Sequence, residues 1–492
     1  MTFLIAVAFY VILQLAISAW AARGTASDAD YLVAGRRLGT AAVALSLFAT
    51  WFAAEGVIAT SAEVAKDGLA GARIDPLGYG LGILVLGLFV AAALRRAGHM
   101  TLAAYVGDRY GTAAEGLAAL VIALSGGIWA AAQLYALATL VADASPLGFH
   151  AALATATAIV LVYTLVGGLI GDVVTDIVQG GVLVTGVVIL FIMMISAAGG
   201  PGAALAVASE EPARFALSLP GESLLARAEI WIVPIVGSVV SQEAVVRALA
   251  ARTPEIARRG AVIGSVIYIA FGLIPVAFGL VGPGLGLGVD ASAGDAFAPG
   301  LAAALLSPFL LVVFSGALIS AILSSVDSAL LAVSAVATES GYRRLRPDAS
   351  PRMRLIAART ITVGAGLAAF AVAASGDSLR DIVVAASSVA AAIAAPVFVA
   401  VIGDMRRGAT APAAPHPGAG AAAVAAIAVN LVLLGVLEWR LGVEGGYIIA
   451  LAGGFAAFGA ARLVARLARR MITLDRVTTG SGAQNKTSSA PE

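Results

Sequence analysis

The sequence predicts an all-α polytopic membrane protein with about 13 transmembrane helices, on three observations: its composition, the length of its apolar runs and the distribution of its cations. Hydrophobic residues make up 60% of the 492 and charged residues only 12%, against about 45–50% and about 25% in soluble globular chains. A helix crosses a bilayer with about 20 mostly apolar residues. Runs of that length follow one another almost end to end, so one transmembrane domain is expected over residues 1–473, with a disordered cytoplasmic tail over 474–492. A net charge of +1 with no basic block argues against nucleic-acid binding, and the absence of cysteine removes disulfides and thiolate metal sites.

Runs bounded by Gly, Pro and charge place the helices at about 2–22, 40–64, 76–94, 113–143, 148–166, 172–198, 230–249, 260–282, 303–338, 355–375, 379–402, 419–439 and 446–467. The first run lacks a basic n-region and is longer than a signal h-region, so it reads as a retained helix. With the N-terminus outside, inside segments hold 24 of the 30 Lys and Arg, and outside segments hold only Lys66, Arg73, Arg214, Arg227, Arg380 and Arg440. That asymmetry implies a cytoplasmic C-terminus in the cell's inner (plasma) membrane and an odd number of crossings. Residues 199–228 and 283–302 form longer outside loops, and the stretch from Asp404 to Gly420 reads as a connector.

Three stretches carry candidate chemistry. ATWFAAEG, residues 49–56, puts Trp51 and Glu55 inside a membrane-length apolar segment. A carboxylate there marks a functional site by default, and a helix break beside it would free carbonyls of the kind transporters use to hold sodium. The alternative is a continuous helix in which Glu55 bonds a neighbouring hydroxyl. In SGALISAILSSVDSALLAVSA, residues 315–334, Ala321, Ser324, Ser325 and Ser328 share one helix face with Asp327 on its shoulder. Such a row offers oxygen ligands to a hard cation, although hydroxyls also serve as glue between packed membrane helices. In VYTLVGGLIGDVVTDIVQG, residues 162–180, two glycines and a short polar turn precede Asp176, which either lines an ion path or ties the turn. His99, His150 and His416 lie far apart in the topology and give no catalytic or metal cluster, so no enzyme is expected.

The run YTLVGGLIGDVVTDIVQG resembles the YT-x-x-GG…TD-x-x-Q signature of the sodium:solute symporter family. DYLVAGRRLG, SQEAVVRALAARTPEIARRG and SSVDSALLAVSAVATESGYRR add further marks in the family's order between Asp30 and Arg344. The resemblance implies a LeuT-like 5+5 inverted-repeat core, with repeats over about 40–198 and 230–402. It implies Na⁺ as coupling ion at the carbonyls of Ala49, Phe52 and Ala321 and the hydroxyls of Ser324 and Ser325, and a second sodium at Asp176, Ser324, Asp327 and Ser328. ATW at 49–51, PLGYG at 76–80 and IWAAA at 128–132 are most similar to the choline-transporter branch. There Trp51, Trp129 and Tyr79 match site aromatics, and such faces attract ammonium by cation–π interaction. Ser241 and Gln242 stand where that branch has a third tryptophan, and Glu55 and Gly56 where it is glycine-rich. The expected substrate pocket is therefore Trp51, Glu55, Gly56, Tyr79, Trp129, Ser241 and Gln242. The expected function is sodium-coupled import of a small amine, amino acid or related zwitterion, with the lipid bilayer as the other partner. Proton coupling on the same fold, or a transporter-like nutrient sensor, are the alternatives.

Overall fold

The computed structural model describes residues 2–23, 27–53, 55–143, 145–376, 379–407 and 418–481, without the side chains of 2–11, 28, 29, 55, 143, 380, 407 and 469–481. Among these, α-helices dominate, and the only pairing of β type is an isolated bridge between Leu38 and Ala251. The helices used below are α1 (Thr2–Ala21), α2 (Thr40–Trp51), α3 (Thr60–Asp67), α4 (Tyr79–Val85), α5 (Thr112–Asp143), α6 (Phe149–Ala197) and α7 (Leu224–Val240). They continue with α8 (Gln242–Leu249), α9 (Pro254–Val281), α10 (Pro308–Val336), α11 (Pro351–Ala374), α12 (Leu379–Ala390), α13 (Ala419–Leu433) and α14 (Gly446–Ser481).

Nine helices among the described residues are long and apolar enough to cross a membrane, and the bent pair α7–α8 adds a tenth. Helices and crossings are not the same count. α6 has 49 residues, about 74 Å at 1.5 Å per residue, more than twice a hydrocarbon core of about 30 Å. It turns at Gly168 (φ 57°, ψ −173°), where a Cβ would lie 2.5 Å from the Tyr31 ring. Only glycine meets both demands. The 42-residue stretch Gly56–Ala97 is likewise interrupted, by Gly68 at φ 63° and by extended backbone at Asp75. α14 runs to Ser481, past residue 473 where the sequence reading ends the transmembrane part, and 482–492 lie outside the described residues.

α10 is the central post. Every residue from Ala317 to Val336 is buried, and it packs against α5, α6 and, through its middle, α2. A helix apolar all round belongs in a core. By contrast, Val432, Leu463 and Val464 on α13 and α14 are exposed, as lipid-facing side chains should be.

Candidate functional site

α2 stops at Trp51. Phe52 leaves helical geometry (φ −85°, ψ 71°) while its N–H still bonds Phe48 O at 2.8 Å, and a π-type turn over Glu55–Ala59 leads into α3. Gly56 sits so that a Cβ would lie 3.0 Å from the Phe52 ring, so its lack of a side chain lets that ring fold back over the break. A second break falls at the start of the other predicted repeat. Between α7 and α8 the backbone at Ser241 is extended (φ −69°, ψ 132°), and its hydroxyl caps α8 by accepting from Ala244 N. α7 and α8 bend by 41° there.

α10 reaches the first break through its hydroxyls. Ser325 Oγ donates to the Thr50 carbonyl at 2.8 Å, and Ser324 Oγ donates to Asp176 Oδ1. Both serines are fully buried, as are Ser46 and Thr50. Each hydroxyl that donates keeps lone pairs, and the carbonyls of Ala49, Phe52 and Ala321 lie on the same elements. The donor set is neutral and all oxygen, which suits a hard monovalent cation. No group of three or more His, Cys, Asp or Glu among the described residues could hold a metal ion.

Beside the break lies a small cavity of about 20 Å³, walled by Trp51, Ser125, Trp129, Ser241, Glu243 and Ser387 among others. That is room for about one water molecule. The Trp51 and Trp129 ring centroids are 5.5 Å apart, and Tyr79 meets Trp51 edge-on at 5.1 Å. The Tyr79 hydroxyl lies 3.3 Å from Ser387 Oγ, and its other side lines a larger cavity of about 530 Å³. Tyr79 is thus the partition between the two. The larger cavity carries Glu222, Glu229, Asp381 and Glu438 beside Trp439 and Tyr447.

A third cluster surrounds Arg247, whose side chain is 0% exposed. Its NH2 donates to Asp172 Oδ2 at 2.7 Å, Asp176 Oδ2 at 3.1 Å and Ser328 Oγ at 2.6 Å. Its Nε donates to Ser46 Oγ at 3.2 Å and its NH1 to the Glu243 carbonyl at 3.0 Å. Ser46 and Thr50 donate to Asp176 Oδ2, and Ser328 donates to both Asp172 oxygens. Asp327 is fully buried beside Thr164 and Asp172.

The expected pocket therefore assembles in part. Trp51, Trp129 and Ser241 share the small cavity, with Tyr79 at its edge. Gly56 supports the break rather than the cavity wall. Gln242 turns away, accepting from Leu102 N at 3.0 Å. The side chain of Glu55 lies outside the described residues. Of the second-ion set, Asp176, Ser324 and Ser328 do converge, but the chain's own guanidinium stands among them while Asp327 bonds to none of them. Arg247 also leaves the count of inside-loop cations, because it is buried in the core. The sequence reading missed Glu243, Asp172 and Arg247 as site residues. The signal was there: all three are ionisable groups within or at the edge of apolar segments, the criterion that singled out Glu55.

Broken helices in two repeats, meeting hydroxyls of a central helix beside a small internal cavity, are the architecture of a secondary transporter. The chain belongs to the sodium:solute symporter family, whose model matches residues 31–406. The human high affinity choline transporter 1 is 32% identical over 186 residues, 36% of this chain and 32% of that protein. Alignments to choline transporters thus span about a third of their length. The sodium/pantothenate symporter of Escherichia coli K12 is 25% identical over 375 residues, covering 72% of this chain and 76% of that protein. Among solved structures, a Na⁺-coupled sialic acid symporter in a substrate-bound outward-open state superposes with a TM-score of 0.80 at 17% identity, over 94% of this chain and 98% of that one. This likeness shows a LeuT-like fold. The chain is a multi-pass membrane protein of a transporter family.

Proposed function

We propose that the chain is a sodium-coupled symporter that carries a small ammonium-bearing organic solute, an amine, amino acid or related zwitterion, across the inner (plasma) membrane by alternating access. The observation that carries this reading is the Ser325 hydroxyl placed 2.8 Å from the Thr50 carbonyl at the helix break. Ala49, Phe52 and Ala321 through carbonyls, and Ser324 and Ser325 through hydroxyls, would hold the ion. A bound sodium would supply positive charge that ties the break to α10. Trp51, Trp129, Ser241 and Ser387 then frame the solute, and Tyr79 separates it from the larger cavity, which with the N-terminus outside and the C-terminus cytoplasmic faces the exterior. Its acidic lining favours approach of cationic solutes.

The test is thermal unfolding of the purified full chain in NaCl and in KCl at equal ionic strength. Sodium should raise the unfolding temperature of the wild type, and Ser325→Ala should remove most of that rise. An equal response in the variant would sink the assigned site. A stability that follows pH and ignores sodium would point to proton coupling.

A further inference from the structure

We propose that Glu243 is the counter-ion for the solute's cationic nitrogen, and that the solute is a protonated primary or secondary amine carrying a hydrogen-bond acceptor, rather than an anion or a quaternary ammonium. This rests on reading the small cavity beside the break as the solute site of a symporter.

Glu243 sits in the first turn of α8, directly after the break at Ser241, and is 6% exposed. Its Oε1 is buried without a hydrogen-bond partner, and its side chain forms part of the cavity wall with Trp51, Trp129 and Ser387. Arg247, four residues on, places positive charge nearby, but its hydrogen bonds do not reach the Glu243 carboxylate. NH1 goes to the Glu243 backbone carbonyl, NH2 to Asp172, Asp176 and Ser328, and Nε to Ser46. A carboxylate held out of water with an unmet acceptor is unfavourable unless something else supplies the donor. The cavity is where that donor can arrive. α5 makes room for the carboxylate with Gly126, where a Cβ would stand 3.0 Å from Glu243 Oε1 and 2.9 Å from Val333 Cγ2.

A second group in the same wall sharpens the ligand. Trp51 Nε1–H is buried and also lacks a partner. One unmet acceptor and one unmet donor, beside two tilted indole rings whose centroids are 5.5 Å apart, complement a molecule with an N–H-bearing cation at one end and an oxygen acceptor at the other. A quaternary ammonium has no N–H and would leave Oε1 unbonded, while a carboxylate without an amine would meet Glu243 as a like charge. With about 20 Å³ between these groups, the walls must part to admit a ligand of this size.

The experiment is calorimetric binding to the purified full chain in NaCl with four probes: proline and ethanolamine, which carry N–H cations and an acceptor; choline, which is quaternary; and pantothenate, which is anionic. Proline or ethanolamine should bind, with choline about tenfold weaker or more and pantothenate not at all. Glu243→Gln, which keeps the shape, should weaken the bound amine about 100-fold, and Glu243→Asp should recover part of that loss. The sodium-induced rise in unfolding temperature without solute should persist in both variants, which shows that they are folded. Preferential binding of pantothenate or choline, binding of neither amine, or unchanged affinity in Glu243→Gln would each overturn the proposal. A wild type that binds amine without any sodium response would instead sink the coupling reading and leave Glu243 standing.

Discussion

The helix break after Trp51 and the Arg247 cluster are neighbours that share the hydroxyls of α10, and they handle charge in the core in opposite ways. At the break, among the described residues, the Ser325 hydroxyl faces the Thr50 carbonyl. At the cluster the cation is part of the chain. Arg247 bridges Asp172, Asp176 and Ser328 at 2.6–3.1 Å with its side chain 0% exposed. A tethered cation contributes equally at any salt composition, whereas a dissociable one stabilises whichever state binds it, in proportion to its concentration. On the proposed reading, the break is where sodium would enter the conformational equilibrium. Asp176 joins the two, since Oδ1 accepts from Ser324 while Oδ2 accepts from Ser46, Thr50 and Arg247.

That contrast can be broken most forcefully at Arg247. Arg247→Met should destabilise the chain by about 3–5 kcal/mol, because it leaves two buried carboxylates without their cation. Asp172→Asn, which removes one anion from an anion-rich cluster and keeps an acceptor, should cost about 1–2 kcal/mol at most. Unfolding temperatures of the two purified variants measure the difference, and equal losses would show that the cluster is not organised around the guanidinium. A smaller effect separates the serines. Ser325→Ala should raise the sodium concentration for half-maximal stabilisation about tenfold, equivalent to about 1.4 kcal/mol, with little change in sodium-free stability. Ser324→Ala should lower both, since its hydroxyl also serves Asp176.

The smallest effect lies at Glu222, which lines the larger cavity. The buried Arg73 reaches it at 2.7 Å. Burial would raise the Glu222 carboxyl, but Arg73, the Leu219 N–H and Arg227 together hold it below its usual 4.5. A depressed carboxyl contributes stability that is fully present above 4.5 and is lost as pH falls through the lower folded value. Glu222→Gln should therefore lower the unfolding temperature slightly at neutral pH, and the deficit should shrink as pH falls below about 4.5, which flattens the acid limb. A flattened profile at pH 6–8 would contradict this assignment.

How much of the site could be read beforehand differs by residue. Trp51 stood out because an aromatic beside a carboxylate interrupts a membrane-length segment, and it does line the cavity. Ser324 and Ser325 stood out by helical spacing, and they reach the break and Asp176. Gln242 followed from the resemblance to the choline-transporter branch, but which way a side chain points after a break depends on the bend, and here it turns to Leu102 N. Glu243, one residue on, faces the cavity instead. Arg247 was read as a loop cation because a cation at the end of an apolar run usually marks the membrane surface. Its true partners, Asp172 and Asp176, lie 75 and 71 positions away in the chain.

The sequence by itself determined that this is a polytopic helical membrane protein, that one helix carries a row of hydroxyls on one face, and that the order of its motifs is that of sodium:solute symporters. Apolar length, helical spacing and motif order are local properties, and local properties are written along the chain. The tertiary structure alone decided which ionisable groups pair and which stay unmet. It turned Arg247 inward to Asp172 and Asp176, left Glu243 Oε1 and Trp51 Nε1 without partners in one cavity, and set Tyr79 between that cavity and the larger one. Pairing in a core depends on which faces the packed helices present to one another, and residues more than 70 positions apart meet only after that packing is complete.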